Sequence, residues 1–446
     1  MIHRLRCLIA PVAALAATLL AAQPAAAMKI ERVVSPGGIE AWLVHEPSLP
    51  LIAINFSFQG GGVQDPAGKA GVGYMVAALL DDGAGELDAK AFQQRVEENA
   101  VQLQFSVSRD YFQGAIRMLR DRKDQSVELL RLALNQPRFD ADAVGRARDQ
   151  ILSALRRETT NPNSIASRTW WSTTFANHPY GHANNGSLES IPTIDAGDLR
   201  AYAKRVLTRG KLKVAAVGDI DAVTLGQTLD RVFGALPASG DLTEVPDRTV
   251  RGDGRRIVVH LDVPQAVVQM GGAGIMRKDP DFIAAYVANH ILGGGSFTSR
   301  LYGEVREKRG LAYGVQSYLL TLRHSSVFMA STQASADRTR EAVELIESQI
   351  ERMVKDGPTE EELAKAKAYL KGSYALNFDT SGKIANLLLQ VQLDDLGIDY
   401  IDKRNSLIDA VTIEDARRAA KRLADGGMLV TVVGRPKGLA SKEPGG

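Results

Sequence analysis

The chain repeats itself once, and that limits the folds open to it more than any other feature. Asp198–Arg205 reads DLRAYAKR, and Asp415–Arg422 reads DARRAAKR, 217 positions later. An apolar segment ending in glycine follows each, Lys213–Gly218 and Leu429–Gly434, with the glycines 216 positions apart. Ala78–Gly83 (ALLDDG) and His290–Gly295 (HILGGG) echo each other more faintly. A repeat of this length marks two duplicated domains, not a solenoid of short units. Chance likeness between helix-then-strand segments is the competing reading, and three echoes near one offset weigh against it.

Both halves read alike. Extended segments come first, Ile39–Val44 and Leu51–Phe58 in one half, Arg256–Val263 and Ala266–Gly271 in the other. Val, Ile and Phe alternate there with polar residues, as in half-buried strands. Amphipathic helices are predicted over Ala89–Asn99, Ala141–Glu158, Arg338–Val354 and Glu360–Tyr374, the last opened by Thr359 with Glu362. Strands and helices in separate runs imply an α+β class, each domain a mostly antiparallel sheet with helices packed on one face. Residues 237–254 are rich in Gly, Pro and Asp and read as a linker. The expected domains are therefore 28–236 and 255–446.

Residues 1–27 carry a different message. His3, Arg4 and Arg6 precede an apolar run from Cys7 to Ala22, and Gln23–Ala27 ends in small residues. That order is the signature of a cleaved secretory signal, so a periplasmic or otherwise exported protein is expected. Pro11 and the preference for Ala over Leu argue against a membrane anchor. No later stretch reaches the roughly 18 apolar residues that a span requires, so no stable membrane span is expected after cleavage. Cys7 is the only cysteine, and cleavage removes it, leaving core burial to stabilise the fold. The 419 residues after position 27 suffice for that. A net charge of +2 and the lack of a long basic stretch give no reason to expect nucleic acid as a partner.

Most familiar catalytic patterns are absent. Beyond His3, the histidines are His45, His178, His182, His260, His290 and His324, and no His-Glu-x-x-His motif or its inverse occurs. His178 and His182 have the four-residue spacing of helical metal ligands, but Pro179 and Gly181 between them favour a turn. Ser296 lacks the second glycine of a nucleophile elbow. Gly293–Gly295 lacks the Lys-Ser/Thr of a phosphate loop and reads as a helix C-cap and flexible loop. The densest signal is Leu292–Tyr313. A helix over Phe297–Lys308 stopped at Gly310, then a strand over Ala312–Leu320, would bring Arg306 and Tyr313 together across a turn. Guanidinium and phenol are both donors suited to a peptide carbonyl or its oxyanion. A solvated basic helix end beside a half-buried Tyr is the plainer alternative.

The same run, with Ser299-Arg300-Leu301, Val305-Arg306-Glu307-Lys308 and Gly310-Leu311-Ala312-Tyr313, closely resembles the pitrilysin/insulinase family of inverted zinc peptidases, in its processing-peptidase branch. His178-Pro-Tyr-Gly181, Gly186–Ile191 and the duplicated halves also resemble that family, and the resemblance spans essentially the whole chain after residue 27. It implies two α+β domains per chain and pairing into a clam-like dimer around a closed chamber. It also implies that Arg306 and Tyr313 bind substrate at the scissile carbonyl. The family holds zinc with the two His of His-x-x-Glu-His and a distal Glu, while the motif's own Glu activates water. Here Tyr74 and Ala78 stand at the two His positions, Ala77 at the catalytic Glu and Ala154 at the distal Glu. The departure removes metal and base together.

The resemblance thus implies a chain with no catalytic residue and no metal of its own. The expected role is the non-catalytic subunit of a heterodimeric zinc metallopeptidase. Arg306 and Tyr313 would act in trans on peptide substrate at the zinc site of a homologous partner. A peptide-binding or scaffolding pseudo-peptidase without a catalytic partner is the alternative, and an independent peptidase with a novel site is a third.

Overall fold

The computed structural model describes residues 28–443, so the segment read as a signal lies outside the described residues. In the first half the strands are β1 (Glu31–Val34), β2 (Glu40–His45), β3 (Leu51–Gln59), β4 (Gln102–Val107), β5 (Tyr111–Leu119) and β6 (Lys213–Gly218). Its helices are α1 (Val72–Leu79), α2 (Ala89–Glu98), α3 (Lys123–Asn135), α4 (Ala141–Glu158), α5 (Pro162–Thr174), α6 (Ala196–Val206) and α7 (Ala222–Phe233). The second half contributes β7 (Arg256–His260), β8 (Gln265–Ala273), β9 (Ala312–Thr321), β10 (Ser326–Ser335) and β11 (Met428–Gly434). Its helices are α8 (Phe282–Asn289), α9 (Thr339–Asp356), α10 (Glu360–Gly372), α11 (Ser381–Leu393), α12 (Tyr400–Ala410) and α13 (Ile413–Arg422).

Two sheets result, in the orders β1-β2-β6-β3-β5-β4 and β7-β11-β8-β10-β9. All pairings are antiparallel except β2 with β6 and β7 with β11. The duplication is visible in the details. Reciprocal capping boxes open α6 (Asp195 with Asp198) and α13 (Thr412 with Asp415) at repeat-related positions. Gly218 and Gly434 end the repeat-related strands at φ +134° and +149°. A Cβ on Gly218 would lie 2.1 Å from the Leu51 carbonyl oxygen, so both conformation and space require glycine there.

The expected α+β class holds, two domains each with a mostly antiparallel sheet and packed helices, whereas the reading of the strands as half-buried needs correction. β3 and its counterpart β8 share the burial pattern of a strand covered on both faces. Each half lends one helix to the other. α11 of the second half packs on β3 and β6 of the first sheet. There Ala385, Leu388 and Leu389 meet Trp42, Val44, Ala215 and Val217. Gln392 on the same helix donates to the Val214 carbonyl at 2.9 Å. Reciprocally, α5 of the first half lies on β8 and β11, with Ala166 against Val267 and Val433. The Trp170 indole N–H donates to the Leu429 carbonyl at 3.2 Å.

The connector 237–254 has no helix or strand, yet it is fastened to both halves. Gln64 exchanges two hydrogen bonds with the Thr243 backbone. Arg248 N–H donates to the His324 carbonyl at 2.8 Å. Among the described residues no helix is long and apolar enough to cross a membrane.

Candidate functional site

The turn from Tyr302 to Tyr313 differs from its sequence reading. In place of one helix over 297–308, a short 3₁₀ turn (Ser296–Thr298) precedes a wide π-type turn over Tyr302–Glu307. Gly310, at φ +60°, then reverses the chain into β9. Leu311 N–H donates to the Val305 carbonyl at 2.9 Å and closes the reversal. Gly293 and Gly294 form no flexible loop. They continue α8 as a π-type turn against β9, where a Cβ on Gly293 would stand 2.5 Å from Ser317 Oγ. Small size there allows close approach of turn and strand.

Arg306 and Tyr313 do come together. The guanidinium carbon lies 4.3 Å from the Tyr313 ring centroid and 5.0 Å from that of Tyr302, so the cation sits between two aromatic rings. Tyr302 is buried, whereas Tyr313 is 82% exposed. Glu304 pairs with Lys308 and Arg309, and among the described residues Arg306 has no ion pair. Both side chains line a cleft of about 930 Å³ with Gln269, Gln316, Thr332 and Asn163 of α5. The arrangement holds a cation and a phenol at an open cleft wall, and among the described residues their donors are unspent.

The four positions aligned with a zinc site behave otherwise. Tyr74 and Ala78 are exposed one helical turn apart on α1, Ala77 is buried beside them, and Ala154 is half-buried on α4, which packs against α1. Ala77 and Ala78 line a cavity of about 500 Å³ that neither Tyr74 nor Ala154 lines, and neither does Arg306 or Tyr313. Amides face it from Asn55, Gln104, Gln113 and Asn386, and Asp81 is its one ionisable lining residue. Zinc in proteins takes thiolate, imidazole and carboxylate ligands, commonly three or four together. Methyl groups, amides and one carboxylate do not fit it. Among the described residues no group of three His, Cys, Asp or Glu side chains is placed to hold a metal ion.

The His178–His182 segment is a 3₁₀ turn, as its Pro and Gly imply. His178 Nδ1 accepts from Tyr180 N–H, which leaves Nε2–H to donate to the Pro246 carbonyl at 2.8 Å. The fully buried Tyr180 hydroxyl donates to Asp110 Oδ1 at 2.6 Å and accepts from His324 N–H at 3.1 Å. Asp110 Oδ2 accepts from Arg323 N–H. This latch joins β5 and the motif turn to the β9–β10 hairpin. Sequence reasoning missed Asp110, Arg323 and His324, because the partners lie far apart along the chain.

Comparison with known proteins agrees with this geometry. Residues 42–186 match the family described as Insulinase (Peptidase family M16), and residues 193–370 match the Peptidase M16 inactive domain. A non-peptidase homolog, YmxG, of Helicobacter pylori is 30% identical over 338 residues, covering 74% of this chain and 77% of the relative. An uncharacterized zinc protease of Mycobacterium bovis is 25% identical over 405 residues, covering 90% and 92% of the two chains. The crystal structure of a peptidase M16 inactive domain from Pseudomonas fluorescens superposes with a TM-score of 0.86 at 26% identity, over 93% of this chain and 99% of that one. The likeness to a non-peptidase homolog and the donor-poor cavity at Ala77 and Ala78 both fit a pseudo-peptidase. The chain belongs to the insulinase (M16) peptidase family, as a member whose features are those of a non-catalytic homolog.

Proposed function

We propose that this protein is the non-catalytic subunit of a two-chain, exported zinc metallopeptidase. The observation that carries the reading is an asymmetry. Arg306 and Tyr313 are intact, adjacent and open to a cleft, while Tyr74, Ala77, Ala78 and Ala154 offer no metal site. A homologous partner would bring the zinc and the water-activating carboxylate. This chain would bring Arg306 and Tyr313, in trans, to grip the peptide and support the oxyanion formed at its carbonyl. In such sites one donor is worth about 2.7–4 kcal/mol, or about 10²–10³ in turnover.

The purified protein should cleave no peptide and retain no stoichiometric zinc. Co-purification from the native source should recover a zinc-bearing homolog, and mixing the two should produce peptidase activity. Recovery of no such homolog, or activity of the pure chain, contradicts the reading. Export is tested by sequencing the N-terminus of the mature protein, which should begin at Met28.

A second reading, peptide binding without cleavage, is favoured by one feature. Among the described residues β4 is a free sheet edge beside the amide-lined cavity. Unpaired backbone groups there can accept an extended peptide as a further strand. Under that reading peptide binds the isolated chain, and no partner confers cleavage.

A further inference from the structure

The cavity beside the His178–His182 turn takes no part in the role above. It measures about 980 Å³ and lies between the loop 65–70, α5 and the motif turn. Arg109, from the β4–β5 hairpin, enters it. Its guanidinium carbon lies over the Trp171 ring, 3.5 Å from the centroid, and Trp171 in turn stacks on Phe175 at 5.1 Å. Arg109 Nε donates to the Tyr180 carbonyl at 3.2 Å. Among the described residues the terminal amino groups make no hydrogen bond and no carboxylate pairs with them. The adjacent Asp110 has both oxygens engaged by Tyr180 and Arg323. Burial lowers the Arg109 pKa to about 10. Arg109 is half-buried, and its terminal amino groups keep their donors free at the cavity wall.

A second group points the same way. His182 lines the cavity, and among the described residues its Nδ1 is buried without a hydrogen-bond partner. Burial pulls its pKa down, the Ala183 backbone opposes this, and the charge of Arg109 adds to the lowering, so the two side chains lie within electrostatic reach. The other charged lining groups have partners of their own, although among the described residues Arg205 Nε is buried without one. Arg168 pairs with Glu158, and Arg205 donates to the Gln64 carbonyl. Asp65 accepts from Gly71 and Gly73 N–H, and Glu189 is exposed, its carboxyl pKa lowered chiefly by a hydrogen bond from Ser187.

We propose that this cavity is an oxyanion-binding site, in which the terminal amino groups of Arg109 take a carboxylate or phosphate group and His182 assists. The Trp171 ring beneath it and the Nε bond to Tyr180 hold the guanidinium in place. Its outer edge is thereby pre-set for bidentate contact with a planar or tetrahedral anion. The Trp171–Phe175 stack provides an apolar wall for the body of a ligand. Because the site also borders the latch between the halves, an occupant would brace that junction.

The test is titration calorimetry of the purified protein at constant ionic strength with three probes: N-acetylphenylalanine, its carboxamide, and inorganic phosphate. Saturable one-site binding of at least one anion is expected, with the carboxamide at least about ten-fold weaker than the carboxylate if the carboxylate binds. Binding of the carboxylate alone assigns the site to amino-acid or peptide carboxylates, and binding of phosphate alone to phosphorylated compounds. Arg109→Gln should weaken binding about ten-fold or more, while Arg109→Lys keeps part of it. Should Arg109→Gln fail to fold by circular dichroism, His182→Gln carries the test with an expected loss of about five-fold. No saturable binding of either anion, or an affinity unchanged in the folded variants, overturns the proposal.

Discussion

Tyr180 shows how much one side chain can hold. Its hydroxyl donates to the buried Asp110 and accepts from His324 N–H, so it ties the first half to the second. Tyr180→Phe keeps the ring but leaves a buried carboxylate one donor short. It should destabilise the protein by about 1.5–3 kcal/mol, measured by urea unfolding. Asp65 offers a pH test at the same scale. Its oxygens accept from Gly71 and Gly73 N–H at the start of α1, yet burial raises its pKa to about 7 from 3.8. A raised carboxyl means that the folded state takes up the proton more readily than the unfolded one. Its contribution is therefore fully present below 3.8 and is lost as pH rises through about 7. Asp65→Asn sacrifices one backbone hydrogen bond at every pH but removes this slope. The unfolding free energy of Asp65→Asn relative to the native chain should become more favourable between pH 5 and pH 8. An unchanged difference would show that Asp65 stays ionised.

Elements with local causes were legible in the sequence. α4 was expected over Ala141–Glu158 and found there, and Thr359 with Glu362 opens α10 as its spacing implied. The turn that joins Arg306 to Tyr313 was also foreseen, although its helix became a π-type turn. Two things were not readable. The double burial of β3 and β8 depends on helices supplied from the other half, which no local periodicity reveals. The Arg109 cavity brings together a hairpin, α5 and a motif turn that are distant in sequence. That Tyr74, Ala77, Ala78 and Ala154 are the positions to inspect came from the family resemblance, not from composition or spacing. One further element contact makes a prediction. Asp281, at the start of α8, accepts from Arg418 and Arg422 of α13, and Arg422 also pairs with Asp279. The Arg418 hydrogen bond, above all, lowers the Asp281 pKa despite partial burial. That stabilisation is present above the unfolded value of 3.8 and lost as pH falls through the lower folded value. Asp281→Asn should lower Tm at pH 7 and match the native chain ever more closely as pH falls below about 4. An equal loss at both pH values would mean packing, not charge, holds α8 to α13.

At the scale of the whole molecule, the exchange of α5 and α11 makes each half incomplete without the other. Each sheet would expose an apolar face if its borrowed helix left. Urea unfolding should therefore be a single transition, with fluorescence of Trp42, Trp170 and Trp171 coinciding with far-ultraviolet circular dichroism. Two separated transitions would show that the halves fold independently. The same architecture sets Arg306 and Tyr313 in a cleft apart from the cavity at Ala77 and Ala78; the proposed role therefore places them at a partner's site. The most direct test is peptide hydrolysis by the zinc-bearing homolog mixed with this protein in native, Arg306→Ala or Tyr313→Phe form. The account predicts activity with the native protein and a fall of about 10²–10³ in kcat with Arg306→Ala, without loss of assembly. Tyr313→Phe should fall in the same direction. Full activity with both variants, in complexes shown to be assembled, would contradict it.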